Sequence, residues 1–344
     1  MLAAAVAVAA AVATAAVQAA PNPAAYPTMD KIPAAVASWS ARVLNNIPAL
    51  PVNAKQLPNP DWSADVTTCR AGAGKVWGIS YDDGPSQYTD DLLAQLKSRN
   101  LKATFFVIGS RVLANPAVLQ RVHAAGHQIG IHTWSHPALT TISNDQVVAE
   151  IVYTARIIKE VIGVTPKFMR PPFGDIDERV RAILKNMGLT VVTWNVDSGD
   201  SAGSLNVAAQ FRQYAASNSG PVISLEHDLF QSAEAQAASA LDAILAGGYT
   251  IQPVDACTGI TPSYDESFWS LVDGTTIASS SSAAASSTTA AAKPTTAASA
   301  TSAASSTPTQ RSSNGAISVT TTSVAALSAL VAGVASFFIG TVVV

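Results

Sequence analysis

Between residues 76 and 252 the chain alternates, and that alternation limits its fold more than any other feature. Short apolar runs at 76–81, 103–108, 128–131, 167–170, 189–195, 221–225 and 249–252 are separated by segments of helical spacing at 89–99, 116–125, 144–162, 177–187, 207–216 and 232–245. In 144–162, for instance, Val147, Ile151, Ile158 and Ile162 form one stripe, the spacing of a helix with a single buried face. Gly126, Gly163, Gly188 and the pair Gly247-Gly248 stand where helices should stop. Strands alternating with helices build a parallel sheet under helical cover. The chemistry-bearing residues follow the ends of five runs: Asp82 and Asp83, His132 and His136, Arg170, Asp197, and His227. In a (β/α) barrel those ends converge on one face. An open doubly wound sheet gathers only the residues near its switch point. The expected fold is therefore α/β, a distorted or incomplete (β/α)7–8 barrel, incomplete because seven runs are present.

The flanks are different material. Residues 1–19 are almost all Ala and Val with a small-residue end at Ala19, the pattern of a cleaved signal peptide. Residues 20–68 are rich in Pro and Asn and read as an extended segment with a short helix near 34–44. Its Trp39 and Trp62 either pack on the domain or line a substrate path. The five run ends that carry the chemistry-bearing residues fall within 69–260, read as one domain. Beyond it, 261–313 reads as a stalk: from 278 to 313 it is Ser, Thr, Ala and Pro apart from Gln310 and the charged Lys293 and Arg311, too poor in large apolar groups for a core. In 314–344 small residues, a polar spacer and an apolar run make the signal for a GPI lipid anchor, with Asn314 as the attachment residue. These readings place the mature chain outside the cell, on the outer face of the membrane or in the wall, as a monomer. A net charge of −3 with no basic run excludes nucleic acid as a partner. Cys69 and Cys257 stand at the two ends of the domain, and an even pair in a secreted protein suggests a disulfide.

His132 and His136 are four residues apart after the third run, and Asp82-Asp83 closes the first. Two imidazoles and one carboxylate make three ligands with a coordination position left open, the count of a catalytic rather than a structural zinc. The second carboxylate is then free to act as a base. His123 and His127 have the same spacing, but no carboxylate stands at a matching place, and both read as structural.

Five blocks carry a resemblance. They are Ser80-Tyr81-Asp82-Asp83-Gly84-Pro85, His132 to His136, Arg170-Pro171-Pro172-Phe173-Gly174, Asp197-Ser198-Gly199-Asp200, and Leu225-Glu226-His227. In this order they resemble the polysaccharide deacetylases of carbohydrate esterase family 4, the NodB-like domain. The resemblance implies a metal on Asp83, His132 and His136, Asp82 as general base, and Arg170 orienting that base. It also implies the Phe173 N–H as an oxyanion donor, His227 as general acid, Asp197 as its support, and Leu225 as the wall of a pocket for the acetyl methyl. Trp134, between the two histidines, is expected to touch substrate. The implied cofactor is Zn2+, with Co2+ as a substitute. With its anchored architecture the chain looks most like a fungal chitin deacetylase, removing acetyl groups from the N-acetylglucosamine units of chitin to leave chitosan and acetate. The alternatives are a deacetylase of another glycan, such as acetylxylan or peptidoglycan, and a non-catalytic carbohydrate-binding wall protein. Four positions depart from the family pattern: Ser201 where Trp is common, Ser80 and Tyr81 where Thr-Phe is commoner, and Phe173 for Tyr.

Overall fold

The computed structural model describes residues 20–70, 72, 74–218 and 220–275. The expected signal peptide, most of the expected stalk, and Asn314 with its anchor signal lie outside the described residues. Among those described, the strands are β1 (Val76–Gly78), β2 (Ser80–Asp82), β3 (Thr104–Val107), β4 (Gln128–Ile131), β5 (Phe168–Met169), β6 (Thr190–Val191), β7 (Val196–Asp197), β8 (Val222–His227) and β9 (Thr250–Gln252). All their ladders are parallel. The order is β6-β5-β4-β3-β2-β8-β1-β9, and β7 also pairs with β8. Strands buried on both faces need no polar alternation, which is why β3, β4 and β8 are buried along their whole length.

Seven runs become nine strands because two of them change partners midway. The first breaks at Ile79. Its early half places Trp77 opposite Val222, and its later half places Asp82 opposite His227, so the six residues of β8 span both pieces. The run at 190–197 pairs with β5 through Val191 and then with β8 through Val196. One run thus supplies the end strand β6 and, through β7, also reaches β8 in the interior of the order, with no continuous ladder between β6 and β7. This is the distorted, incompletely closed barrel form of an α/β sheet. It brings the ends of β2, β4, β5, β7 and β8 to one side.

The long helix Asn144–Ile162 shows how local sequence fixes an element. Ser143 and Gln146 form a reciprocal capping box at its start, and Gly163 ends it at φ 80°, a conformation that costs glycine little. Its buried face includes Val147, Ile151 and Ile158. Gly130 in β4 answers a different need. A Cβ there would lie 2.5 Å from the Phe106 ring.

The ordered domain runs past the expected boundary at 260. Pro166 bridges Tyr264, and the helix Ser267–Val272 buries Phe268 and Val272 in the core. Its Trp269 donates to Thr165 Oγ1 at 2.8 Å. The stalk therefore cannot begin at 261, and the reason is visible in the apolar residues Phe268, Trp269, Leu271 and Val272. At the other end, 20–68 is extended with one helix, Ala37–Val43, and Trp39 packs edge-on against Tyr153 at 5.0 Å.

Cys69 and Cys257 are joined in a disulfide that closes a loop with a sequence separation of 188. A Cβ on Gly78 would lie 2.6 Å from Cys257 Sγ, so β1 carries glycine where the bridge packs against it. Replacing both cysteines by Ala is expected to lower unfolding stability by about 2–5 kcal/mol through loss of the closed loop. Denaturant unfolding checks this, and an unchanged midpoint would contradict it.

Candidate active site

The ends of β2, β4, β5 and β8 bring one set of side chains together. Asp83 Oδ1 lies 3.2 Å from His136 Nε2 and 3.4 Å from His132 Nε2. The three donor atoms are mutually within 4.8 Å. Asp83 Oδ1 is buried with no hydrogen bond of good geometry, an arrangement that is costly unless something else satisfies the oxygen. Burial raises the Asp83 carboxyl, but the neighbouring imidazoles outweigh it and hold the group well below the usual range. Burial pushes the His136 ring down to about 4, which keeps it neutral, the form that binds a metal. Two imidazole nitrogens, one carboxylate oxygen and an orphaned acceptor fit a divalent cation.

Arg170 serves two neighbours at once. Its backbone carbonyl is 2.7 Å from His132 Nδ1, so that nitrogen carries the proton and Nε2 is left for the metal position. Its guanidinium donates to Asp82 Oδ1 at 2.8 Å and to Thr193 O at 2.9 Å, and it lies 4.3 Å from the centre of the Phe106 ring. Asp82 Oδ2 is left facing His132 Nε2 at 3.6 Å. Burial raises the Asp82 pKa, and the charge of Arg170 opposes the rise.

Among the described residues, seven non-glycine residues have positive φ, and four of them belong to this site: Asp83, Thr133, His136 and Phe173. Each such residue costs on the order of 1–3 kcal/mol and persists only where its surroundings hold it. Glu150, fully buried in the long helix, supplies much of the hold between the two histidines. It accepts from the N–H groups of Trp134 and Ser135 at 2.6 and 2.9 Å and from Ser135 Oγ at 2.6 Å. Its role was not anticipated, although an acidic residue within an apolar helix face was a signal for it.

His227 stands at the end of β8, and the carboxylate beside it is that of Asp200. Asp200 Oδ1 is 2.6 Å from His227 Nδ1, and Oδ2 accepts the His227 N–H at 2.8 Å. Burial opposes a charged ring, but the hydrogen bond and charge of Asp200, with Asp83 and Asp82 beyond, raise His227 to about 9. The expected partner was Asp197. That residue is exposed, and its Oδ1 accepts the Gly199 N–H at 2.8 Å. Gly199, at φ 67°, reverses the chain and swings the second acid of the same block inward.

A cavity of about 540 Å³ contains Asp82, Asp83, His132, His136 and His227 in its lining. Leu225 lies on its wall, and Phe173 lies at its mouth, 49 % exposed and edge-on to His136 at 4.6 Å. Ser201 and Trp194 also line it. Trp134 does not. It is fully buried, stacked on Tyr26 at 5.6 Å, because the left-handed Thr133 turns it toward the core. The expected substrate contact at Trp134 is therefore replaced by a packing role. His127 accepts the Ala103 N–H through Nδ1, and His123 lies edge-on to Tyr264; neither lines the cavity.

Residues 70–192 match the polysaccharide deacetylase family profile. Over 206 residues the chain is 45% identical to chitin deacetylase 1 of Cryptococcus neoformans var. grubii, an alignment covering 54% of this chain and 44% of that protein. The chain thus matches under half the length of that relative. Its fold is similar to the chitin deacetylase structure from the fungal pathogen Colletotrichum lindemuthianum, with TM-score 0.54, 28% identity, and coverage of 58% of this chain and 95% of that one. It is also similar to the peptidoglycan deacetylase PdaC of Bacillus subtilis, with TM-score 0.50, 30% identity, and coverage of 54% and 90%. The chain belongs to the polysaccharide deacetylase family.

The Asp200–His227 pair yields a pH prediction. If His227 is the acid of the expected reaction, it acts only when protonated, and its deprotonation then sets an alkaline limb in kcat/KM. Asp200→Asn removes the charge that raises His227, so that limb is expected to move to lower pH. A pH–rate profile checks this, and an unmoved alkaline limb would contradict it.

Proposed function

We propose that this chain hydrolyses the N-acetyl groups of N-acetylglucosamine units in chitin, leaving chitosan and releasing acetate, with Zn2+ as the metal. One observation carries the reading. A three-donor metal set, a carboxylate held by an arginine, and a histidine kept protonated by a carboxylate share one cavity floor. A binding module needs no base and acid around a metal.

The residues divide the reaction among them. Asp83, His132 and His136 would hold a divalent ion, which would supply Lewis acidity toward the acetyl carbonyl and lower the pKa of water beside it. Asp82 accepts the proton of the attacking water at Oδ2, the oxygen that Arg170 leaves unpaired. The water oxygen bonds to the carbonyl carbon, and the C–N bond breaks. His227 gives its Nε2 proton to the departing amine, because Nδ1 is engaged by Asp200. The Phe173 N–H faces the developing oxyanion in this scheme, and Leu225 walls the methyl. Two nitrogens and an oxygen suit Zn2+ and also accept Co2+.

Chitin as substrate is supported by the name of the Cryptococcus relative, whereas the PdaC likeness favours peptidoglycan as the second reading. The Ala- and Val-rich residues 1–19 and the small residues around Asn314 support a place of action outside the cell, at the membrane or the wall. Acetate release from chitin oligomers, peptidoglycan and acetylxylan discriminates among the substrates. Chitin oligomers are expected to react fastest, and faster release from either rival would contradict chitin. Asp82→Asn is expected to lower turnover about 10²–10⁴-fold, the range for loss of a general base, with metal content unchanged. An undiminished rate would remove Asp82 from that role.

A further inference from the structure

Every residue lining the catalytic cavity but one lies between Asp82 and Phe230 in the sequence. The exception is Gln56, from the extended N-terminal segment and outside the matched family region at 70–192. Its backbone is fixed on both sides. Asn53 N–H donates to Thr140 O at 2.9 Å. Leu57 N–H donates to Asp175 Oδ1 at 2.8 Å, and Asp175 is a fully buried carboxylate that also accepts from the Thr140 N–H and hydroxyl at 2.9 and 2.7 Å. Further along, Trp62 Nε1–H donates to Gly174 O at 2.8 Å, and its rings lie 4.9 Å from those of Trp194. A Cβ on Gly174 would fall 2.3 Å from the Trp62 ring. Arg181 holds Asp65 with two bonds of 2.8 Å, and Val66 bridges Val192. The segment at 53–66 is therefore clamped to the loop that carries Phe173 and to Trp194, both part of the cavity wall.

Gln56 itself is exposed, and among the described residues its carboxamide makes no hydrogen bond to protein. A carboxamide both donates and accepts. Sugar hydroxyl and acetamido groups also do both. The reacting acetyl group is already surrounded by Asp82, Leu225 and His227. An exposed amide at the same cavity meets what lies beside that group, and its rigid backbone means little ordering is needed when it binds.

We infer that Gln56 is a specificity residue: its carboxamide binds the hexosamine unit next to the one that loses its acetyl, so the N-terminal segment sets the preference for longer chains. The inference rests on the proposed glycan deacetylation and names a contact of that same site.

The test uses the full chain with zinc and N-acetylglucosamine oligomers of two to six units. Acetate release is followed for wild type and Gln56→Ala, with thermal unfolding to confirm the fold. For the longer oligomers KM is expected to rise about two- to tenfold, the effect of losing one neutral hydrogen bond, with kcat unchanged. The shortest oligomer turned over is expected to show no difference. Equal kinetics at every length would overturn the inference, as would a loss in kcat or an equal loss at every length. A wild type that releases no acetate from any oligomer overturns the functional reading and this inference with it. An active wild type matched by its variant overturns the inference alone.

Discussion

The site depends on Arg170. Its guanidinium is fully buried, donating to Asp82 and to the carbonyls of Thr193 and Val192, over the ring of Phe106. Its own carbonyl accepts a hydrogen bond from His132 Nδ1–H. One residue at the end of β5 thus orients the Asp82 carboxylate and fixes the tautomer of His132 beside the neighbouring strand. A buried cation is tolerable only when paired and fully hydrogen-bonded. Here the pairing leaves one oxygen of Asp82 free for chemistry. Removing either partner strands the other charge in the interior, so the pair constrains the fold as well as the reaction.

The strands supply rigidity, and the loops between them hold the strained geometry. Thr133 and His136 both have positive φ, and the turn joining them is held by Glu150, by the His136 N–H bond to Thr133 Oγ1 at 3.0 Å, and by Gly109 N–H on Thr133 O at 2.9 Å. Burial raises the Glu150 carboxyl to about 7 even though three donors oppose the rise. The long helix was visible as an apolar stripe, but its one buried acid joins packing to function. It holds the turn between His132 and His136, whose separation the strand alone would leave to a loop.

Much of this was legible in the sequence because it is local. The alternation of runs gave the parallel α/β sheet, and the positions of Asp82, Asp83, His132, His136, Arg170 and His227 at run ends gave their convergence. What stayed hidden depends on backbone turns or distant partners. The first run breaks because β8 pairs with both its pieces, and the fifth because its partner changes from β5 to β8. Asp200 rather than Asp197 meets His227 because Gly199 reverses the chain between them. Trp134 turns inward because Thr133 is left-handed. Gln56 has no local signature: contacts to Thr140, Asp175 and, through Trp62, Gly174 carry its segment to the cavity.

The central claim is that Asp83, His132 and His136 hold one catalytic metal. The most direct measurement is bound metal per chain and acetate release, taken on the same samples before chelation, after it, and after stepwise return of zinc. The account predicts that both fall together and return together, with full release reached at one metal per chain. Undiminished acetate release from folded protein stripped of metal would contradict it.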